Sequence, residues 1–489
     1  MAKNKWIFYT AAIAVILLIV ILSLALPGMI PKNEGSEKDL HETTGYQEEV
    51  TTGKPITVPP ETVTETKKET QKETAQTTQE TTRRETTQET TREETTPEET
   101  TENKPAEKTT SETTKESETV VEDPYIDESD YPTPKDIKAK AVYLNAGAAG
   151  TPSVINYIID LAKNTELNAV VIDIKDGPIA YPSEVKYAKE YGLYGVYYYP
   201  DELIAKLHDN DIYVIGRLVC FRDPALAEKK PELAIHTASG EIWKENGTTA
   251  WLNPYHPDVQ KYLLDLATEA AKKGFDEIQF DYIRFPTGTY GKDYYGENLP
   301  SKTEAVEAFL DAAVKALRPY GVKVTADIFG IVGLSQADGY AIGQHLETIG
   351  KNIDYICPMV YPSHYANGSN SVMGNGTGTI LNGVLYKAPD LNPYEIVYGT
   401  LIRMRERIAK VENYKASLRP YLQAFSASYL PKGYYQRYEA EQIRQQIQAV
   451  YDAGYEEWIL WDHSSNYPRD AFLPKKSSSE TEKNESDGQ

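Results

Sequence analysis

Eight short apolar runs recur between residues 136 and 474, and most are followed by a stretch with apolar residues at helical spacing. The spacing predicts strands at Ala139–Leu144, Ala169–Lys175, Tyr213–Val219, Glu277–Ile283, Lys323–Phe329, Tyr355–Tyr361, Tyr421–Phe425 and Trp458–Trp461. Helices are predicted at Val154–Lys163, Asp201–Asp209, Pro257–Lys273, Thr303–Leu317, Ala341–Ile349 and Glu439–Ala453. Such alternation implies a parallel sheet with crossover helices, and eight strands in about 340 residues suit a (β/α)8 TIM barrel better than an open sheet. A doubly wound dinucleotide fold would need a glycine fingerprint after the first strand. Gly147-Ala148-Ala149-Gly150 lacks that spacing. Long inserts at Pro178–Pro200, Arg222–Pro254 and Pro362–Pro393 are expected to wall a cleft at the C-terminal face of the barrel.

Strand parity then selects the chemistry. In Phe275-Asp276-Glu277-Ile278-Gln279-Phe280-Asp281, Gln279 and Asp281 share one face while Ile278 and Phe280 take the other. Parity likewise groups Asp173 with Lys175, and Thr325 with Asp327. Charges cluster at the strand ends: Asp173, Lys175 and Asp176 on the second strand, Arg217 on the third, Asp281 and Arg284 on the fourth, Asp327 on the fifth. Later strands add Tyr361, Gln423 and Trp461. Neighbouring strands lie about 4.8 Å apart, so Asp281 and Asp327 could approach to the carboxylate separation that glycoside hydrolysis uses. That reaction needs one ionised and one protonated acid, a split that a dense cluster of carboxylates around Arg217 would produce. Asp281 and Asp327 are the expected catalytic pair. Asp173, Lys175, Asp176, Arg217, Gln279, Arg284, Tyr361, Gln423 and Trp461 are the expected substrate-binding set. Tyrosines concentrated at 194–199, 290–295 and 429–438 offer faces on which sugar rings stack.

Other chemistries find little support. The seven histidines form no His-x-His or His-Glu-x-x-His spacing, so neither a metal site nor a cofactor is expected. His364 and His463 follow strand ends, where they could touch substrate, but are read as loop packing or capping residues. Ser335 lies in Gly333-Leu334-Ser335-Gln336-Ala337, which lacks the second glycine of a nucleophile elbow. The two cysteines, Cys220 and Cys357, fall inside apolar runs and read as buried small residues.

Residues 1–30 are almost wholly apolar after Lys3 and Lys5, long enough to cross a bilayer of about 30 Å. They read as an uncleaved single-pass membrane anchor rather than a signal peptide, because Pro27 sits where cleavage would fall and no Ala-x-Ala precedes it. Residues 31–135 form a Thr/Glu-rich tether with nothing to bury, and 475–489 a polar tail; both are expected to be disordered. The tether carries about 14 of the 22 net negative charges, so the acidity of the chain describes the tether more than any site. Residues 136–474 remain acidic and offer no basic stripe, which disfavours nucleic acid as a partner. Nothing in the composition sets an oligomeric state.

Trp251-Leu252-Asn253-Pro254-Tyr255-His256-Pro257 followed by the Phe275–Asp281 strand resembles the matching segment of bacterial glycoside-hydrolase-like barrels. Asn168–Asp176 (Asn-Ala-Val-Val-Ile-Asp-Ile-Lys-Asp) and Ile353–Pro362 (Ile-Asp-Tyr-Ile-Cys-Pro-Met-Val-Tyr-Pro) resemble more narrowly the glycosyl hydrolase domain family DUF4015. The likeness covers about 136–470. It implies a fourth-strand nucleophile, here Asp281, and an acid from a later strand, for which Asp327 is the candidate. The related barrels often show a second aspartate where this chain has Tyr282. The expectation is therefore an extracytoplasmic, membrane-tethered glycoside hydrolase acting on a cell-envelope or environmental polysaccharide or oligosaccharide. The alternative is a non-catalytic carbohydrate-binding barrel held at the envelope.

Overall fold

The computed structural model describes residues 131–475 apart from 288 and 290. The expected anchor at 1–30, nearly all of the tether at 31–135 and of the tail at 475–489 lie outside the described residues. Among the described residues, no helix is long and apolar enough to cross a membrane.

Eight parallel strands close on themselves in chain order: β1 (Lys140–Leu144), β2 (Ala169–Lys175), β3 (Tyr213–Val219), β4 (Glu277–Asp281), β5 (Lys323–Phe329), β6 (Tyr355–Met359), β7 (Tyr421–Gln423) and β8 (Trp458–Trp461). The seam is the pairing of β1 with β8, Lys140 opposite Trp458. This is the expected (β/α)8 barrel. Its crossover helices are α1 (Pro152–Asn164), α2 (Pro200–His208), α3 (Pro257–Lys272), α4 (Lys302–Leu317), α5 (Gln336–Ile342), α6 (Pro393–Ile408) and α7 (Ala440–Asp452). Proline opens α1, α2, α3 and α6, where its fixed φ suits the first turn and its missing N–H is not needed. Ser301 and Glu304 close a capping box on α4.

Two differences from the expected helices have local causes. The expected helix at Ala341–Ile349 is split, because Gly343 ends α5 with φ of 82° and the chain resumes as a single turn at Leu346–Ile349. Helix α6 was not expected. Its sequence places Gly399 and several β-branched and aromatic residues mid-helix, and Gly399 lets Leu381 approach within 2.5 Å of where a Cβ would stand.

Two apolar layers result. Outward-facing Val142, Val170, Ile172, Val214, Leu218, Ile278, Phe280 and Ile328 join the helices in the main core. Inward-facing Tyr143, Val171, Ile215, Tyr355, Cys357, Tyr361, Tyr421 and Ile459 fill the barrel. At the N-terminal ends of the strands, fully buried Arg419 bridges Glu277 at 2.7 Å and Glu457 at 3.1 Å. Tyr213 and Thr325 also donate to Glu277, so this end is plugged by a satisfied ionic network.

Candidate active site

At the opposite end, a cavity of about 410 Å³ opens at the C-terminal ends of the strands. Arg217 organises its floor. Its Nε and Nη2 donate to Asp281 Oδ2 at 2.9 and 2.6 Å, and its Nη1 donates to Asp173 Oδ1 at 2.6 Å and Asp176 Oδ2 at 3.1 Å. Tyr143 donates to the other oxygen of Asp173 at 2.6 Å. Burial pushes Asp173 up to about 6 although Arg217 pulls in the opposite direction.

The chain turns sharply after Asp281. Tyr282 adopts φ of 50°, an uncommon conformation for a bulky residue, and its N–H then donates to Asp281 Oδ1 at 2.6 Å. Both oxygens of Asp281 are thus engaged, while the residue still lines the cavity.

Asp327 differs from the expectation of an accessible acid. It faces the barrel interior, 4.0 Å from Arg217 Nε, but its side chain has no exposure and it does not line the cavity. Phe329, the next residue on the same strand face, lines the cavity instead. Neither Asp327 oxygen has a hydrogen-bond partner, and burial together with the charge of Asp281 holds its carboxyl well above the usual range.

The remaining expected residues divide in two. Arg217, Arg284, Tyr361 and Trp461 line the cavity with Asp281. Asp173, Lys175, Asp176, Gln279 and Gln423 do not. Lys175 is 1% exposed and tied to Asp223 at 3.1 Å and the Val219 carbonyl at 3.0 Å, because β2 bulges between Asp173 and Lys175 and breaks the simple alternation. Gln279 lies deeper, accepting from Tyr421 Oη at 2.5 Å and donating to Cys357 Sγ at 3.1 Å. Gln423 braces loops: it accepts from the Ser363 N–H at 3.0 Å and donates to Asp390 at 2.9 Å.

Several further residues line the cavity. Of the three long inserts, the one after β6 supplies His364, Tyr365 and Met373, and the loop after β7 adds Phe425, Ser426, Ser428 and Tyr429. His364 and His463, expected as packing or capping residues, both line the cavity. Their positions just past β6 and β8 were the available signal, since barrel sites are built from such residues. Burial lowers His364 to about 4, so its imidazole is neutral at pH 7. One wall is an aromatic cluster: Trp461 meets Phe425 at 5.3 Å, Tyr361 at 5.8 Å and Tyr143 at 5.9 Å between ring centroids. Among the described residues, no group of His, Cys, Asp and Glu could hold a metal ion.

The closed (β/α)8 barrel, with a carboxylate–arginine cluster and an aromatic wall at its C-terminal face, has the fold of glycoside-hydrolase-like barrels. The chain is a member of the DUF4015 family, described as "Putative glycosyl hydrolase domain", whose pattern matches residues 141–467. Among solved structures, it is similar to a hypothetical protein from Ruminiclostridium thermocellum ATCC 27405, with 42% identity over 38% of this chain and 96% of that one, TM-score 0.36. It is also similar to the PgaB (BpsB) glycoside hydrolase domain from Bordetella bronchiseptica, with 14% identity over 71% of this chain and 100% of that one, TM-score 0.50. The latter likeness speaks for the fold. No curated protein sequence matches.

Proposed function

We propose that the protein is a glycoside hydrolase acting on a cell-envelope or environmental polysaccharide, with Asp281 as the carboxylate that meets the substrate. The observation that carries this is the placement of Asp281: it ends β4, lines an aromatic-walled cavity, and is held by two N–H donors of Arg217 and one of Tyr282. A carboxylate fixed in this way stabilises positive charge developing at an anomeric carbon without reorganising during the reaction. Tyr361, Phe425 and Trp461 would stack on the sugar ring. Asp327 acts through Asp281 and Arg217 as a positioning residue. Kept neutral, it lets a fourth acid pack beside one guanidinium without adding a further charge. Residues 1–30 would anchor the chain and hold the barrel outside the cytoplasm, near such a substrate.

Turnover of a panel of glycans by the full-length chain tests this reading. Asp281→Asn should lower kcat/KM by about a hundredfold or more. Unchanged turnover in that variant would remove Asp281 from the mechanism. One observation favours a non-catalytic carbohydrate-binding barrel as a second reading: Asp281 is the one acidic residue on the cavity lining among the described residues, and both of its oxygens are already engaged. Glycan binding by the parent chain without any cleavage would select that reading.

A further inference from the structure

Three arginines stand near the cavity, and their partners differ. Arg217 is held by Asp173, Asp176 and Asp281. Arg222 pairs with Glu245 at 3.3 Å, and the same Glu245 oxygen accepts from Trp251 Nε1 at 3.3 Å. Arg284 is 3% exposed and lines the cavity, yet among the described residues its side chain makes one hydrogen bond, from Nη1 to the Phe285 carbonyl at 3.1 Å. Among the described residues no carboxylate pairs with it. Its guanidinium is instead surrounded by rings, with Phe329, Trp251 and Tyr282 centroids at 4.6, 4.9 and 5.0 Å.

A guanidinium has five N–H donors and stays protonated in proteins, so burying it leaves a charge and most of its donors to be satisfied. Aromatic faces offset part of the lost hydration and supply no hydrogen-bond acceptor. Burial pushes the Arg284 guanidinium below its ordinary value, as expected for a cation lacking a close counterion. The acids whose charge acts on it are committed elsewhere, Glu245 to Arg222 and Asp281 to Arg217. The missing acceptor therefore has to come from the cavity side.

We propose that Arg284 is an anion-recognition point and that the sugar bound in this cavity carries a singly charged acidic group. The inference rests on the carbohydrate reading above. A single unpaired guanidinium matches one negative charge in forked geometry; a phosphomonoester, with close to two charges at neutral pH, would leave part of its charge buried beside Asp281. A ring carboxylate of a uronate, a carboxylate on a lactyl ether and a sulfate ester all share the required chemistry.

Calorimetric titration of the full-length chain separates these. The probes are a uronate trisaccharide, a disaccharide bearing a lactyl ether carboxylate and a 6-O-sulfated disaccharide, each beside its carboxyl-reduced or unsulfated counterpart. At least one acidic probe should bind ten or more times more tightly than its neutral counterpart, and the probe that does so identifies the source of the anion. Arg284→Met should bring the two within about twofold, while Arg284→Lys, which keeps the charge, should retain a preference of several fold. Equal affinity of every acidic and neutral pair for the parent overturns the proposal while leaving the carbohydrate reading intact. An undiminished preference in a natively melting Arg284→Met variant also overturns it. Binding of none of the six sugars sinks the carbohydrate reading and this proposal with it.

Discussion

Replacing Arg217 with methionine keeps most of the aliphatic stem and removes the guanidinium around which Asp173, Asp176 and Asp281 are arranged. The size of the effect follows from Asp173. Even with Arg217 in place, that carboxyl is raised from 3.8 to about 6 by burial. At about 1.4 kcal/mol per unit, the ionised form is disfavoured by about 3 kcal/mol relative to the neutral one. Without the cation this penalty grows, and Asp281 loses two donors at the same time. Removing one partner of a buried ion pair costs about 3–5 kcal/mol, and that loss is expected at pH 8.

The loss should depend on pH in a definite direction. Asp173 and Asp327 both have raised folded-state values, so between their unfolded values near 4 and their folded ones the native state binds more protons than the unfolded state. Stability therefore falls as pH rises through that window, which for Asp173 in the parent runs from 3.8 to about 6. In Arg217→Met the window extends to higher pH. At pH 5 both acids are largely neutral in either protein, and the difference should shrink to about 2 kcal/mol, the scale of lost hydrogen bonds. Urea unfolding of the full-length chains at pH 5 and pH 8 measures both differences. A loss below about 1 kcal/mol at pH 8, or an equal loss at both pH values, would refute the coupling of Arg217 to these acids.

Asp327→Asn removes a buried acid whose oxygens have no partner, so its stability relative to the parent should rise between pH 4 and pH 8, by about 1 kcal/mol or more, and a pH-independent difference in unfolding midpoints counts against the assignment. Trp461→Ala removes the ring that meets Tyr143, Tyr361 and Phe425, and should weaken binding of any glycan that the parent recognises by about tenfold in calorimetry, with unchanged affinity excluding that wall as a sugar platform. Arg419→Met leaves Glu277 and Glu457 uncompensated at the other end of the barrel, so it should destabilise by about 3–5 kcal/mol while folded protein keeps the parent's glycan affinity; a changed affinity would mean that the two ends communicate.

Strand number, order and parity were legible in the sequence because a parallel barrel buries both faces of every strand, and the resulting apolar runs are hard to mistake. Parity also placed Asp173, Asp281 and Asp327 on one set of faces, and the structure joins the first two directly through Arg217. Depth was not legible. Alternation says which face a side chain takes, and says nothing of how far below the rim it stands. Asp327 lies two residues short of the end of β5, opposite Cys357, so Phe329 separates it from the open cavity, whereas Asp281 is the last residue of β4. Lys175 was lost to a bulge, and Gln423 to loop contacts that arise only once distant segments meet. The same limit explains the histidines: His364 and His463 follow strand ends in sequence, but their loops turn back over the barrel mouth only in three dimensions. The rim-level residues, Asp281 and Arg284, flank the strained Tyr282, whose φ of 50° lets the first accept a backbone N–H while its ring packs against the second. Where related barrels often carry an aspartate, this chain therefore sets an aromatic ring against a buried cation. The position that departs from the wider pattern is also the one that shapes the charge facing a ligand.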